Sequence, residues 1–164
     1  IIGSTSGVLG QKQEALKYYE QALRIRREVG DRGGEGTTLN NLGRVYYDLG
    51  QKQEALKYYE QALRIFGEVE NPFGEGITLH NIGVIYAVQG RYDIALACIL
   101  LAKALFERVQ SPSDVEDEVQ WTANLHRQLG DEQFTMLLAQ VEPQAEQIVE
   151  KTLQGESDDL SQAH

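Results

Sequence analysis

The side chains able to do chemistry are few, and their spacing does not favour it. His80 and His126 stand far apart in the chain, and neither falls in a metal-ligand pattern such as H-E-x-x-H, where one helical turn carries two imidazoles to a single cation. Cys98 is the single cysteine, so no internal disulfide can form, and among Ile, Leu and Ala neighbours it reads as a small buried hydrophobe rather than a nucleophile. The stretch D-R-G-G-E-G from Asp31 looks like a phosphate-cradling loop. It lacks a following Lys-Ser or Lys-Thr pair and a preceding strand, and it returns later as N-P-F-G-E-G from Asn71, so it reads as a connection. Carboxylates are plentiful, but at helical spacing on outer faces they are solvated charge. The inventory predicts no catalytic residue, no metal site and no cofactor, and a protein that is not an enzyme.

The elements that position these residues are set by an internal repeat. LGQKQEALKYYEQALRI occurs at Leu9–Ile25 and again, unchanged, at Leu49–Ile65. A diverged copy, GRYDIALACILLAKALF, begins at Gly90, and a fainter one, GDEQFTMLLAQ, at Gly130. The intervening segments recur with the same period of 40: EGTTLNNLGRVYYDLG from Glu35, EGITLHNIGVIYAVQG from Glu75 and VEDEVQWTANLHRQLG from Val115. Each unit reads as two helices. Leu39, Leu42, Gly43 and Tyr46 share one face of the first, and Ala55, Tyr59, Ala62 and Leu63 one face of the second. Gly50, Gly90 and Gly130 follow the first helices, where a left-handed residue commonly ends a helix. The second helix starts at once, so the pair must be antiparallel. Asp31, Asn71 and Ser111 are expected N-caps between units, with Pro72 and Pro112 in the first turns that follow.

This reading divides the chain into a truncated first repeat (1–30), two full repeats (31–70 and 71–110), a degenerate repeat with a capping helix (111–153) and a polar, disordered tail (154–164). Residues 1–8 align with the latter half of a first helix, Gly3 matching Gly43, as expected of a fragment of a longer array. In the last repeat Thr135 aligns with Ala55 and Glu142 with Ala62. Pro143 interrupts the helix, and Val141, Ile148, Val149 and Leu153 suggest a further helix beyond it. His126 takes the place of Tyr46 and Tyr86 and is expected to pack in the core.

The net charge of −10 is unevenly placed. Acidic and basic side chains cancel over residues 1–110, and Arg127 and Lys151 are the only basic residues beyond. An acidic end repels phosphate, so nucleic acid is a poor partner. The longest apolar run, Ile94 to Ala102, is far shorter than the roughly 20 residues that span a bilayer. No basic leader precedes an apolar stretch, so a signal peptide is not expected. With a lone cysteine, these features suggest a cytoplasmic protein that binds neither nucleic acid nor membrane.

The residues Leu39, Leu42-Gly43, Tyr46, Ala55 and Tyr59 resemble the tetratricopeptide repeat pattern. Leu79, Ile82-Gly83, Tyr86, Ala95 and Ile99 repeat it in the next unit. The 40-residue period is similar to the repeats of kinesin light chains, spindle-orientation adaptors and many bacterial signalling proteins. The resemblance implies an all-α, right-handed solenoid of stacked antiparallel helix pairs, with the first helices lining a concave groove. It places Thr37, Asn40, Asn41, Arg44, Tyr47 and Asp48 on that wall, then Ile77, His80, Asn81, Val84, Ala87 and Val88, and finally Asp117, Gln120, Trp121, Asn124, Arg127 and Gln128. The function implied is a scaffold that binds a peptide or partner domain in the groove. The alternative is a regulatory array within a larger signalling or protease-like protein.

One outer surface departs from the pattern. Glu54, Lys57, Glu60 and Gln61 are replaced by Ile94, Ala97, Leu100 and Leu101, making the helix apolar nearly all round. Such a face needs a cover, either the segment after Pro143 or a second copy of the chain in a homodimer.

Overall fold

A computed structural model describes the backbone of residues 2–161 and the side chains of residues 7–155. Among the described residues it is all-helical: α1 Ile2–Val29, α2 Arg32–Asp48, α3 Lys52–Glu68, α4 Pro72–Val88, α5 Tyr92–Arg108, α6 Pro112–Leu129, α7 Asp131–Val141, a 3-10 turn at Glu142–Gln144, and α8 Ala145–Ser161. The helices pack in sequential pairs. The chain divides into two compact units, residues 1–78 and 79–164, with the boundary inside α4.

Five helix ends share one geometry. Gly30, Gly50, Glu70, Gly90 and Gln110 have positive φ, from 54° at Glu70 to 78° at Gly50 and Gly90. At Gly50 the glycine N–H donates to Tyr47 O at 2.9 Å and the Gln51 N–H to Tyr46 O at 2.9 Å, and the other four ends repeat both bonds. This satisfies two carbonyls that a helix end otherwise leaves open. The residue that completes the turn opens the next helix, since Ala55 N–H donates back to Gln51 O. Asp31 and Asn71 also cap through their side chains, accepting from Gly34 N at 2.9 Å and Gly74 N at 3.0 Å. Ser111 does not. Its hydroxyl donates to Asp114, and its oxygen accepts no backbone N–H of the first turn.

The unit of residues 1–78 is built on Leu23, Leu39, Leu42, Ala62, Ile65 and Phe66, flanked by Leu16, Tyr19, Tyr46 and Tyr58. Gly43 lets α2 lie against the ring of Tyr59, where a methyl group would come within 2.7 Å of ring carbons. At the head of α2 the buried Glu35 accepts from Arg27 Nε and Arg32 Nη1, both at 2.8 Å, and Arg32 also pairs with Glu68. Burial pushes the Glu35 carboxyl up, but the two guanidinium hydrogen bonds outweigh it and hold it below the ordinary value.

Residues 1–8 do not form a separate helix: α1 runs through Gly10 without a turn, with residue 1 outside the described residues. Glycine permits the left-handed turn but does not impose it. A segment this short buries little by folding back, so the helical hydrogen-bond ladder continues.

In the unit of residues 79–164, α5 is the central helix. Ile94 to Ile99, Ala102 and Phe106 are buried, and α6, α7 and α8 all pack against it. Its close approach to α4 is at Gly83, beside Cys98 and Ala95. After the turn at Pro143, α8 brings Ala145 and Val149 into the core behind Val141. It continues to Ser161, so the tail expected from residue 154 begins inside a helix; residues 162–164 lie outside the described residues.

The last pair is joined differently. Gly130 alone links α6 to α7, accepting from Phe134 N–H as Gln51 accepts from Ala55. The connection is two residues shorter: α6 runs one residue further and α7 starts one residue earlier, so the register of α7 moves by one. Phe134 and Val141 are buried where Thr135 and Glu142 were expected to match Ala55 and Ala62. His126 is likewise not a core residue: its side chain is 44% exposed, stacked on Phe134 at 4.5 Å, with Nε2 2.8 Å from the exposed Asp131.

Candidate functional site

Each expected wall residue is found on a first helix. In the unit of residues 1–78, Thr37, Asn40, Asn41, Arg44, Tyr47 and Asp48 lie on α2, with Ile77 on the first half of α4. Thr37 Oγ1 donates to its own helix at Gly33 O (3.1 Å), and Asp48 lends its carbonyl to Lys12 Nζ at 3.0 Å. Arg44 and Asp48 are exposed, and Asn40, Asn41 and Tyr47 are half-buried.

In the unit of residues 79–164 the two helices converge on a cavity of about 320 Å³. From α4 come Val84, Ala87 and Val88, and from α6 Trp121, Asn124, Leu125 and Gln128, with Tyr92 at the start of α5. Gln128 Nε2 donates to the Tyr92 hydroxyl at 2.7 Å, closing one end. Asn124 Oδ1 accepts from Gln120 Nε2 at 3.2 Å and from Arg127. The polar rim is therefore pre-ordered around an aliphatic and aromatic floor. Gln120 and Arg127 contribute through Asn124 and do not line the cavity.

A turn away along both helices, His80 Nδ1 lies 2.7 Å from Glu118 Oε1. Glu118 is 1% exposed, and its Oε2 has no hydrogen-bond partner in the structure. The bond to Glu118 raises the His80 pKa above its ordinary value. Partial burial opposes this, and Asp117 and Asp114 add to the rise.

Residues 3–68 match the model of the tetratricopeptide repeat family. The match ends short of residues 69–164, where Glu118, Tyr92 and Leu125 join the site without having been expected. Glu118 has a signal in the repeat alignment, since it stands where Thr38 and Thr78 stand in the two preceding units. Tyr92 and Leu125 have none, because they enter from a helix start and from a core-facing position. No curated protein matches the chain. Tetratricopeptide repeats generally mediate protein–protein interactions, and no catalytic domain is identified in the chain.

The apolar outer face is placed as well. Ile94 and Ala97 are buried, Leu100 and Leu101 are half-buried, and α8 packs along α5. Cys98 is fully buried and its thiol is pushed up to about 12, which keeps it an unreactive hydrophobe. Among the described residues no helix is long and apolar enough to cross a membrane, and no three His, Cys, Asp or Glu side chains converge to hold a metal.

Proposed function

We propose that the chain is a binding scaffold that takes a peptide segment of a partner protein along the first-helix faces of its repeats. The observation that carries this reading is the cavity walled by Val84, Val88 and Trp121. Its size and lining suit one large apolar side chain, and Asn124 and Gln128 sit at its edge to engage the backbone on either side. Trp121 offers flat contact area at small entropic cost, a property typical of binding hot spots. On the α2 face, Asn40, Asn41 and Arg44 are the residues suited to further polar contacts, with Arg44 able to grip a carboxylate through two bonds.

The test is capture from a source lysate with the parent chain, a Trp121→Ala, Val88→Ser variant and an Asn40→Ala, Asn41→Ala, Arg44→Ala variant, each verified as folded by circular dichroism. Loss of a captured protein with the first variant supports a ligand anchored in the cavity, and loss with the second supports a contact on the α2 face in its own right. A partner held equally well by all three proteins would show that the binding surface lies elsewhere.

A further inference from the structure

Two polar contacts occupy the same register, one repeat apart. In the unit of residues 1–78, Thr78 Oγ1 lies 3.3 Å from the side-chain amide of Asn40. In the unit of residues 79–164, His80 meets Glu118 at 2.7 Å. Both pairs join residues 38 apart, with His80 in the place of Asn40 and Glu118 in the place of Thr78. Each ties the first helix of one repeat to the first helix of the next. The upstream pair is neutral at any pH at which the protein folds. The downstream pair is ionisable on both sides.

The substitution has a physical consequence. A threonine hydroxyl in this register meets its needs within its own helix, Thr78 donating to Gly74 O at 2.8 Å. The Glu118 carboxylate cannot. One oxygen reaches His80 and the other is buried without a partner. An imidazolium beside it supplies the compensating charge that burial demands, and a neutral imidazole supplies only a hydrogen bond.

We propose that His80 and Glu118 form a proton-operated clasp between α4 and α6, closed while His80 is an imidazolium and loosened when it is neutral. The charged groups acting on His80 come from α6: Glu118 in contact, with Asp117 and Asp114 beyond it. α5 faces α4 with Ala95, Cys98 and Ile99, which carry no charge at neutral pH. All three α6 carboxylates favour the protonated ring. The folded state therefore binds the proton more tightly than the unfolded chain. The stabilisation is fully present below the unfolded His pKa and is lost as pH rises through the folded one. The clasp lies a turn from Val84 and Trp121, so its closure stiffens the wall assigned above to ligand binding. It is a property of the free chain and does not depend on that assignment.

The first test is an NMR titration of the imidazole rings, parent against Glu118→Gln. The His80 midpoint is expected above the ordinary value of about 6.5 in the parent and lower in the variant. Equal His80 midpoints in the two proteins overturn the proposal. If Glu118→Gln does not fold, the variant His80→Asn, Glu118→Thr copies the upstream pair and keeps the question open to measurement. The parent is expected to melt roughly 2–4 °C lower at about pH 8.5 than at about pH 5.5. At least half of that difference should vanish in the double variant, and an undiminished difference also overturns the clasp.

Discussion

At the scale of single residues, the smallest and the most highly charged positions do the positioning. Gly43 is required because the Tyr59 ring occupies the space a methyl group would need, and Tyr59, only 2% exposed, cannot swing away. Gly43→Ala is expected to cost about 1–3 kcal/mol, the usual penalty of overpacking, read as a lowered urea midpoint with an unchanged slope. Glu35 acts through charge. Its carboxyl is held below the ordinary value, so its contribution is present above the unfolded carboxylate pKa and is lost as pH falls through the folded one. Glu35→Gln is expected to lower stability by about 1–2 kcal/mol at neutral pH and much less in acid, where the parent has lost the same interaction. A destabilisation that is equally large at acid pH would assign Glu35 a packing role instead.

At the scale of elements, the recurring device is the left-handed residue that ends each helix. Three of the five such turns use glycine, but Glu70 and Gln110 hold positive φ with a side chain attached. That conformation costs an L-residue on the order of 1–2 kcal/mol, partly offset by the greater freedom glycine has when unfolded. Glu70→Gly and Gln110→Gly are therefore each expected to stabilise by about 0.5–1 kcal/mol in thermal melts. Helix pairing, the glycine joints at 50, 90 and 130, and the interruption at Pro143 were all legible in the repeat, because they follow from propensity and periodicity. The register of α7 was not. Whether Gly130 serves as the end of one helix or also as the start of the next depends on how Phe134 packs, and no local pattern encodes that choice. The His80–Glu118 contact was hidden for a similar reason. The alignment shows a carboxylate in a threonine column, but only the packing of α6 on its neighbours reveals that it is buried.

At the scale of the whole molecule, identical sequence does not produce identical burial. The segments Leu9–Ile25 and Leu49–Ile65 are the same residue for residue, yet Ile25 is 58% exposed and Ile65 only 4%. Local propensity is equal by construction, so the difference lies entirely in what each helix packs against. Repeat arrays draw much of their stability from such neighbour interfaces. Amide hydrogen exchange along α3 is expected to be at least about tenfold slower than at the matching positions of α1. Equal protection of the two copies would show that intrinsic helicity, rather than packing, dominates. In the second unit the same logic makes α8 part of the core. Removing residues 145–164 would uncover the part of α5 that α8 packs against, and the shortened protein is expected to bind a hydrophobic dye that the parent does not.

The five matched turns also bear on how such a chain can grow. Residues 30, 50, 70, 90 and 110 share one backbone state, and each next residue opens a helix in the same way. A gene segment encoding residues 31–70 therefore begins and ends at interchangeable joints. Copied in tandem, it would re-enter the following helix with no new loop to invent and no frame of packing to correct. The unaltered 17-residue stretch at Leu9 and Leu49 is what such copying would leave. Gly130, with its shortened joint, is where the cassette stops being interchangeable, and where an inserted copy would meet a neighbour in the wrong register.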